Sequence, residues 1–286
     1  MLGGATLVWR ETDDLGAAVR RLSAGRVVAS GVLAVVGAYL VERIWYALLV
    51  GLGVRAGARD AEAVFFVSQL GKYVPGSVWP LVAQMQFGRR WGAPRRVMLA
   101  AGVLLLGVVT ASGIAVGAVL LPWSSPGGLT RYWWLLVLLL ALLPCLHPRF
   151  VPAVLDLALR RLGREPLGVG VTGRGLAAAV AWSVVTWLVL GVHLLVLMAP
   201  YDGVRAAALA AATGGIAFAW AAGIAFVPAP AGAGVREGVL VLTLGPLVGG
   251  TPALAIALAS RVLLLLADVL LAVVGALWRR VRPSPW

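Results

Sequence analysis

The chain has 286 residues, of which 61% are hydrophobic and only 12% charged, with a formal net charge of +13. Soluble domains carry about 25% charged residues, and several runs here approach the ~20 apolar residues that cross a bilayer. The composition therefore excludes a soluble enzyme and predicts an all-α polytopic membrane protein. The arginines cluster in short loops between apolar runs, so the charge is read as a topology signal and no nucleic-acid partner is expected.

In chain order, MLGGATLVWRETDDL does not make a signal peptide, because its apolar run is short and an acidic stretch follows at once. Residues 15–26 read as an amphipathic interfacial segment. Residues 27–54 predict a first spanning helix, interrupted by Glu42 and Arg43. The next apolar segment, 61–87, is broken at GKYVPG and holds Lys72, the only lysine of the chain. After the basic loop 89–96, residues 97–121 predict a second span. A shorter third, 132–147, opens with Tyr132, Trp133 and Trp134 as interface anchors. A basic loop, 148–174, leads to a span at 175–199. Residues 206–235 are uncharged but broken at VPAPAGAG, and 253–278 predict the last span, with Arg261 and Asp268.

The order repeats: spanning helix, Pro/Gly-broken segment, spanning helix, over about 27–121 and again over 175–278 within one transmembrane domain, 1–286. If each broken segment is a re-entrant hairpin, three crossings separate the halves and the second is inverted. Loops 55–59, 89–96, 148–174 and the tail, rich in arginine, then share one side, which the positive-inside rule makes cytoplasmic together with the C-terminus. The segment 10–26 is the misfit, with four arginines on the other side. Paired broken segments in inverted halves point to a transport site, because irregular backbone at membrane depth survives only against protein or a water-filled cavity.

Candidate residues follow from that placement. Lys72 either binds an anionic group, aided by free N–H groups at a half-helix N-terminus, or snorkels to an interface. Arg236 suits a phosphate because a guanidinium binds it bidentately, while Glu237 in a first helical turn is favoured by the dipole alone. Arg261 and Asp268, seven apart, share a helix face and require intramembrane partners, for which Glu237 and Glu42 are candidates. Glu42 and Arg43 point about 100° apart and are not expected to serve one another. His193 reads as a hydrogen-bonded core residue, and Gly113 with Gly117 as a helix-packing pair. Cys145, His147 and His193 do not make a metal site, the GxGxxG at Gly168 follows no strand, and no catalytic constellation appears, so no cofactor and no enzyme activity are expected.

The segments SQLGKYVPGSVWPLVAQMQFGRR and PAPAGAGVREGVLVLTL, the latter followed by a span with Arg and Asp, resemble the transmembrane region of lysylphosphatidylglycerol synthases. This is the multiple peptide resistance factor family with its free-standing bacterial and archaeal relatives. The resemblance implies a flippase for aminoacylated phosphatidylglycerol in the plasma membrane. It maps a first loop onto Lys72, Tyr73, Pro75 and Gly76, and a second onto Pro228, Gly232, Gly234, Arg236 and Glu237, with Arg261 and Asp268 after it. Relatives usually begin with one more helix before the segment matching 10–26, so that helix is expected to be missing or truncated. No aminoacyl-transfer domain is present in these residues. The implied partners are membrane lipids with anionic, aminoacylated or polyprenyl-phosphate headgroups. The alternatives are a non-transporting partner of a glycosyltransferase or lipid synthase, docked through 148–174, and a membrane-embedded lipid transferase using Glu237.

Overall fold

A computed structural model describes residues 21–74, 79–142, 170–202, 206–226 and 228–281, with a few isolated positions besides. Among the described residues the chain is all helical. Helix α1 (Ala24–Gly51) is followed by a first hairpin, made of α2 (Ala58–Gln69), a 3-10 turn (Leu70–Tyr73) and α3 (Trp79–Phe87). Then come α4 (Arg95–Leu120), α5 (Gly128–Leu142) and α6 (Gly173–Asp202). The second hairpin consists of α7 (Ala206–Ala225), a 3-10 turn (Pro230–Gly232) and α8 (Val235–Val248), and α9 (Gly250–Val281) closes the order. Among the described residues six helical stretches are long and apolar enough to cross a membrane, including Ala206–Ala225 and Pro230–Val248.

The breaks in both hairpins are local in origin. Proline removes a backbone donor and clashes with the preceding turn, so VPAPAG cannot continue α7. The chain turns there through Ala231, Gly232 and Gly234, at φ 51°, 68° and 81°. Glycine reaches that left-handed region without the Cβ penalty. In the first hairpin α2 tightens into its 3-10 turn before Val74, and Pro75 and Gly76 lie outside the described residues.

Helices meet through small side chains, as expected where lipid tails are as apolar as leucine and close approach supplies the association energy. Ser30 near the start of α1 meets His193 near the end of α6, Gly37 faces Leu190, and Gly51 abuts Gly175. That register makes α1 and α6 antiparallel. Likewise Gly113 of α4 faces Ala217 of α7 while Gly117 faces Phe218 and Gly214. Gly275 of α9 rests on Ala63 and Phe66 of α2. The contacts cross over between the halves, with α4 packing on α7 and α9 on α2. The outer surface stays apolar, with Val28, Val32, Leu266, Val269, Leu270 and Val273 exposed as lipid would favour.

The reading of the third apolar helix shifts, while that of His193 as a hydrogen-bonded core residue holds. The helix expected as a third span over 132–147 begins at Gly128 and is, over its described residues, shorter than the six membrane-crossing stretches; Tyr132 is not an interface anchor but packs with Ala118, Leu121 and Leu135 in a small core between α4 and α5, leaving Trp133 and Trp134 exposed. The α-helical face simply turns the first aromatic inward. His193 is fully buried, its Nδ1 2.7 Å from Ser30 Oγ and its Nε2 2.8 Å from Ser260 Oγ, so it ties α6 to α1 and α9. Of 10–26, 21–26 and the isolated position 16 are described; helix α1 starts at Ala24.

The α4–α7 crossing yields a direct test. A Cβ at Gly113 would stand 2.5 Å from the Ala217 carbonyl oxygen, which is backbone and cannot swing aside. Gly113→Val is expected to destabilise the protein by about 1–3 kcal/mol through overpacking. A Cβ at Gly107 in the same helix meets nothing within 4 Å, and Gly107→Val should leave unfolding in detergent nearly unchanged.

Candidate functional site

The two hairpin turns touch each other; the first turn reaches α9 directly, and the second hairpin reaches it through α8. Lys72, at the carbonyl end of α2, places Nζ 2.7 Å from Asp268 Oδ2, and the Tyr73 hydroxyl donates to the same oxygen at 2.5 Å. From the other hairpin, Glu237 accepts from Arg261 with Oε1 and from the Gly234 N–H with Oε2, the latter at 2.7 Å. The acidic side chain thus closes the first turn of α8, a position the helix dipole favours. Arg261 and Asp268, on one face of α9, hold one hairpin each with opposite polarity.

Arg236 is different. Its neighbours Gly223 and Gly232 carry no side chain, and a Cβ on either would come within 3.0 Å of the Arg236 Nε. They open a slot through which the arginine stem passes to stack on Trp220, with the guanidinium 4.3 Å from the ring centroid. Its Nε is buried with no hydrogen-bond partner. Trp220 also receives the Lys72 ammonium at 5.9 Å and packs edge-on against Trp187 at 5.8 Å. A ring quadrupole attracts a cation without neutralising it, so the positive charge of Arg236 stays available.

Arg236, Trp220 and Ala231 form the wall between two cavities. One, of about 450 Å³, is lined by Tyr73, Glu237, Ser260 and Arg261 together with apolar side chains such as Ile216, Leu240 and Leu264. The other, of about 1050 Å³ and open to the surroundings, has a mainly apolar lining that includes Leu81, Leu105, Leu106 and Val109, with Lys72, Gln69 and Gln84 as its polar members. What the pair offers is a guanidinium shared by a smaller cavity that carries Tyr73, Glu237, Ser260 and Arg261 and a larger, more apolar one.

The fold thus brings together Lys72, Tyr73, Gly232, Gly234, Arg236, Glu237, Arg261 and Asp268. Pro228 is exposed and outside both linings. Lys72 is not at a half-helix N-terminus, because the chain tightens into a 3-10 turn at the end of α2; Arg236 holds the N-terminal position instead. Glu42 and Arg43 do not join Arg261 and Asp268. They bond to each other, Arg43 Nε lying 2.5 Å from Glu42 Oε2, and Arg43 Nη2 lies 2.6 Å from Glu62 Oε1. The expectation that they could not serve one another neglected the arginine stem, long enough to fold back over the 100° between them.

Sequence reasoning missed Trp220 and Glu62. An aromatic in the middle of a thirty-residue uncharged run, and an acid inside AEAVFFV, were the available signals. A comparison with curated proteins finds no match. The family model described as lysylphosphatidylglycerol synthase TM region matches residues 2–272. With nearly the whole length matched and the helices to cross a membrane, the chain belongs to the lysylphosphatidylglycerol synthase transmembrane-region family.

Proposed function

We propose that this lipid-related membrane protein moves a lipid with an anionic headgroup between leaflets, with Arg236 as the headgroup anchor. One observation carries the reading. Among the described residues at the hairpin turns three cations meet two carboxylates, and the cation left over is the half-buried Arg236 between the two cavities, its Nε buried without a hydrogen-bond partner. A phosphate received there would restore charge balance through charge-assisted bonds. The apolar cleft suits acyl or prenyl chains and the smaller chamber suits the rest of a headgroup.

The architecture supports the same reading. Antiparallel α1 and α6, with the crossed α4–α7 and α9–α2 contacts, favour a second half inverted with respect to the first. At 1.5 Å per residue α2 and α3 reach about 18 and 14 Å, well short of the ~30 Å hydrocarbon core. A re-entrant first hairpin fits those lengths, while both arms of the second hairpin are long enough to cross, and midplane sites between repeats are the transporter pattern. The positive-inside rule assigns the arginine-rich loops and the C-terminus to the cytoplasm of a bacterial or archaeal cell.

Glu237 has both oxygens engaged, which weighs against the lipid-transferase alternative that needs it as a free acid or base. Most of 148–174, the docking surface of the partner alternative, lies outside the described residues.

The test is leaflet exchange of labelled anionic, aminoacylated and polyprenyl-phosphate lipids in liposomes. Wild-type protein should exchange one lipid class, and Arg236→Gln, correctly inserted, should lose at least about tenfold of that rate, the loss of one charge-assisted contact. Exchange at the wild-type rate in Arg236→Gln would remove the anchor. Failure of intact wild type to exchange any lipid, with a lipid-modifying enzyme or glycosyltransferase co-purifying, would replace transport by the partner reading.

A further inference from the structure

A second charged group stands apart from the hairpin turns. Arg43 bridges Glu42 on its own helix and Glu62 on α2, the Tyr39 hydroxyl donates to Glu62 Oε1 at 3.0 Å, and the Tyr39 and Tyr46 rings each lie 5.2 Å from the guanidinium. Two carboxylates share one guanidinium, so full ionisation leaves one negative charge unbalanced. The other helices packed on α1 do not supply the missing cation. Of the charged or titratable residues described on the packed helices, Arg59 and Asp60 lie in the first turn of α2, Arg95 and Arg96 open α4, Arg174, His193 and Tyr201 belong to α6, and Arg261 and Asp268 belong to α9, while the ion pairs of Glu42 and Glu62 are with Arg43.

Two further observations point to a bound species. Glu42 is fully buried and its Oε1 has no hydrogen-bond partner. One turn along the same helix face, fully buried Trp45 has an indole N–H without a partner. Glu42 lies about 14 Å from the C-terminal end of a helix about 42 Å long, which places it inside the hydrocarbon thickness. An excess charge there is costly, and an ionised oxygen without a donor makes it more so. A hard metal ion would need six or more oxygen ligands, and among the described residues no three acidic, histidine or cysteine side chains gather. A proton needs no such shell.

We propose that Glu42, Arg43 and Glu62 form a proton-binding site that holds one proton, carried by Glu42. With the proton on, Glu42 is neutral and Arg43 pairs chiefly with Glu62, tethering α1 to α2. With the proton released to water, ionised Glu42 competes for Arg43 and the tether to α2 weakens. Helix α2 runs directly into the turn that carries Lys72, so the proton biases the position of the first hairpin. That last consequence rests on the transport reading; the site does not.

Infrared spectroscopy of the full chain in liposomes reads the site whether or not lipid moves. Wild type should show the C=O stretch of a protonated carboxyl at neutral pH, absent in Glu42→Gln, where ionised Glu62 and Arg43 balance. Glu62→Gln should lose the band as well, because Glu42 then ionises against Arg43, whereas a carboxyl protonated merely by burial would keep it. Absence of the band in folded wild type, its persistence in Glu62→Gln, or its appearance only when sodium is withdrawn would each overturn the proposal. Where exchange is measurable, Glu42→Gln should flatten its pH dependence; an intact band with no lipid exchange would leave the proton site standing and the transport reading refuted.

Discussion

Replacing Asp268 by alanine is expected to destabilise the protein by about 3 kcal/mol, the lower end of the cost of breaking a buried pair. Asp268 accepts from both Lys72 and Tyr73, so its loss strands an ammonium and a hydroxyl together. The lower end applies because Lys72 keeps 20% of its side chain exposed and can find water. The double variant Asp268→Leu with Lys72→Met removes both charges and should be more stable than Asp268→Ala alone, since apolar replacement of a buried pair is often near neutral. Denaturant unfolding in detergent compares them. Equal stability of single and double variants would mean that the stranded lysine costs nothing and that Lys72 escapes to an interface.

Glu237→Ala is expected to be at least as damaging, on the order of 4 kcal/mol, from a lost cap of about 1 kcal/mol and a broken ion pair of about 3. The variant leaves the Gly234 N–H without its acceptor and Arg261 without its carboxylate, beside an Arg236 that already has none. Two unneutralised guanidinium groups would then line one chamber. Glu237→Gln keeps an acceptor for the backbone N–H but not the charge, so it should recover roughly the cap and little else. Adding an anionic lipid should restabilise Glu237→Ala more than wild type, because ligand that binds only the folded state stabilises it by mass action. Identical lipid-induced shifts in the unfolding midpoint would argue that the chamber takes no anion.

Membrane character, the helical class and the order of elements were legible in the amino-acid sequence because each depends on short windows. Apolar runs of sufficient length, prolines and glycines at VPAPAGAG and GKYVPG, and isolated charges at 42, 43, 72, 236, 237, 261 and 268 are all local facts. The pairing of those charges was only half legible. Arg261 meeting Glu237 was among the expected partners, but Asp268 takes Lys72 and Tyr73 from 195 residues and more away, while Glu42 stays with Arg43 and Glu62.

The residue types and the breaks therefore came from the sequence alone: hydrophobic transfer and proline geometry act within a turn or two of helix. Tertiary structure decided which charge remains without a carboxylate. Arg236 is left over because α9 gives Asp268 to the first hairpin and Arg261 to the second, and because Gly223, Gly232 and Trp220 meet around the guanidinium. Those contacts exist only once helices far apart in sequence have packed in one register, and no window of the chain contains them.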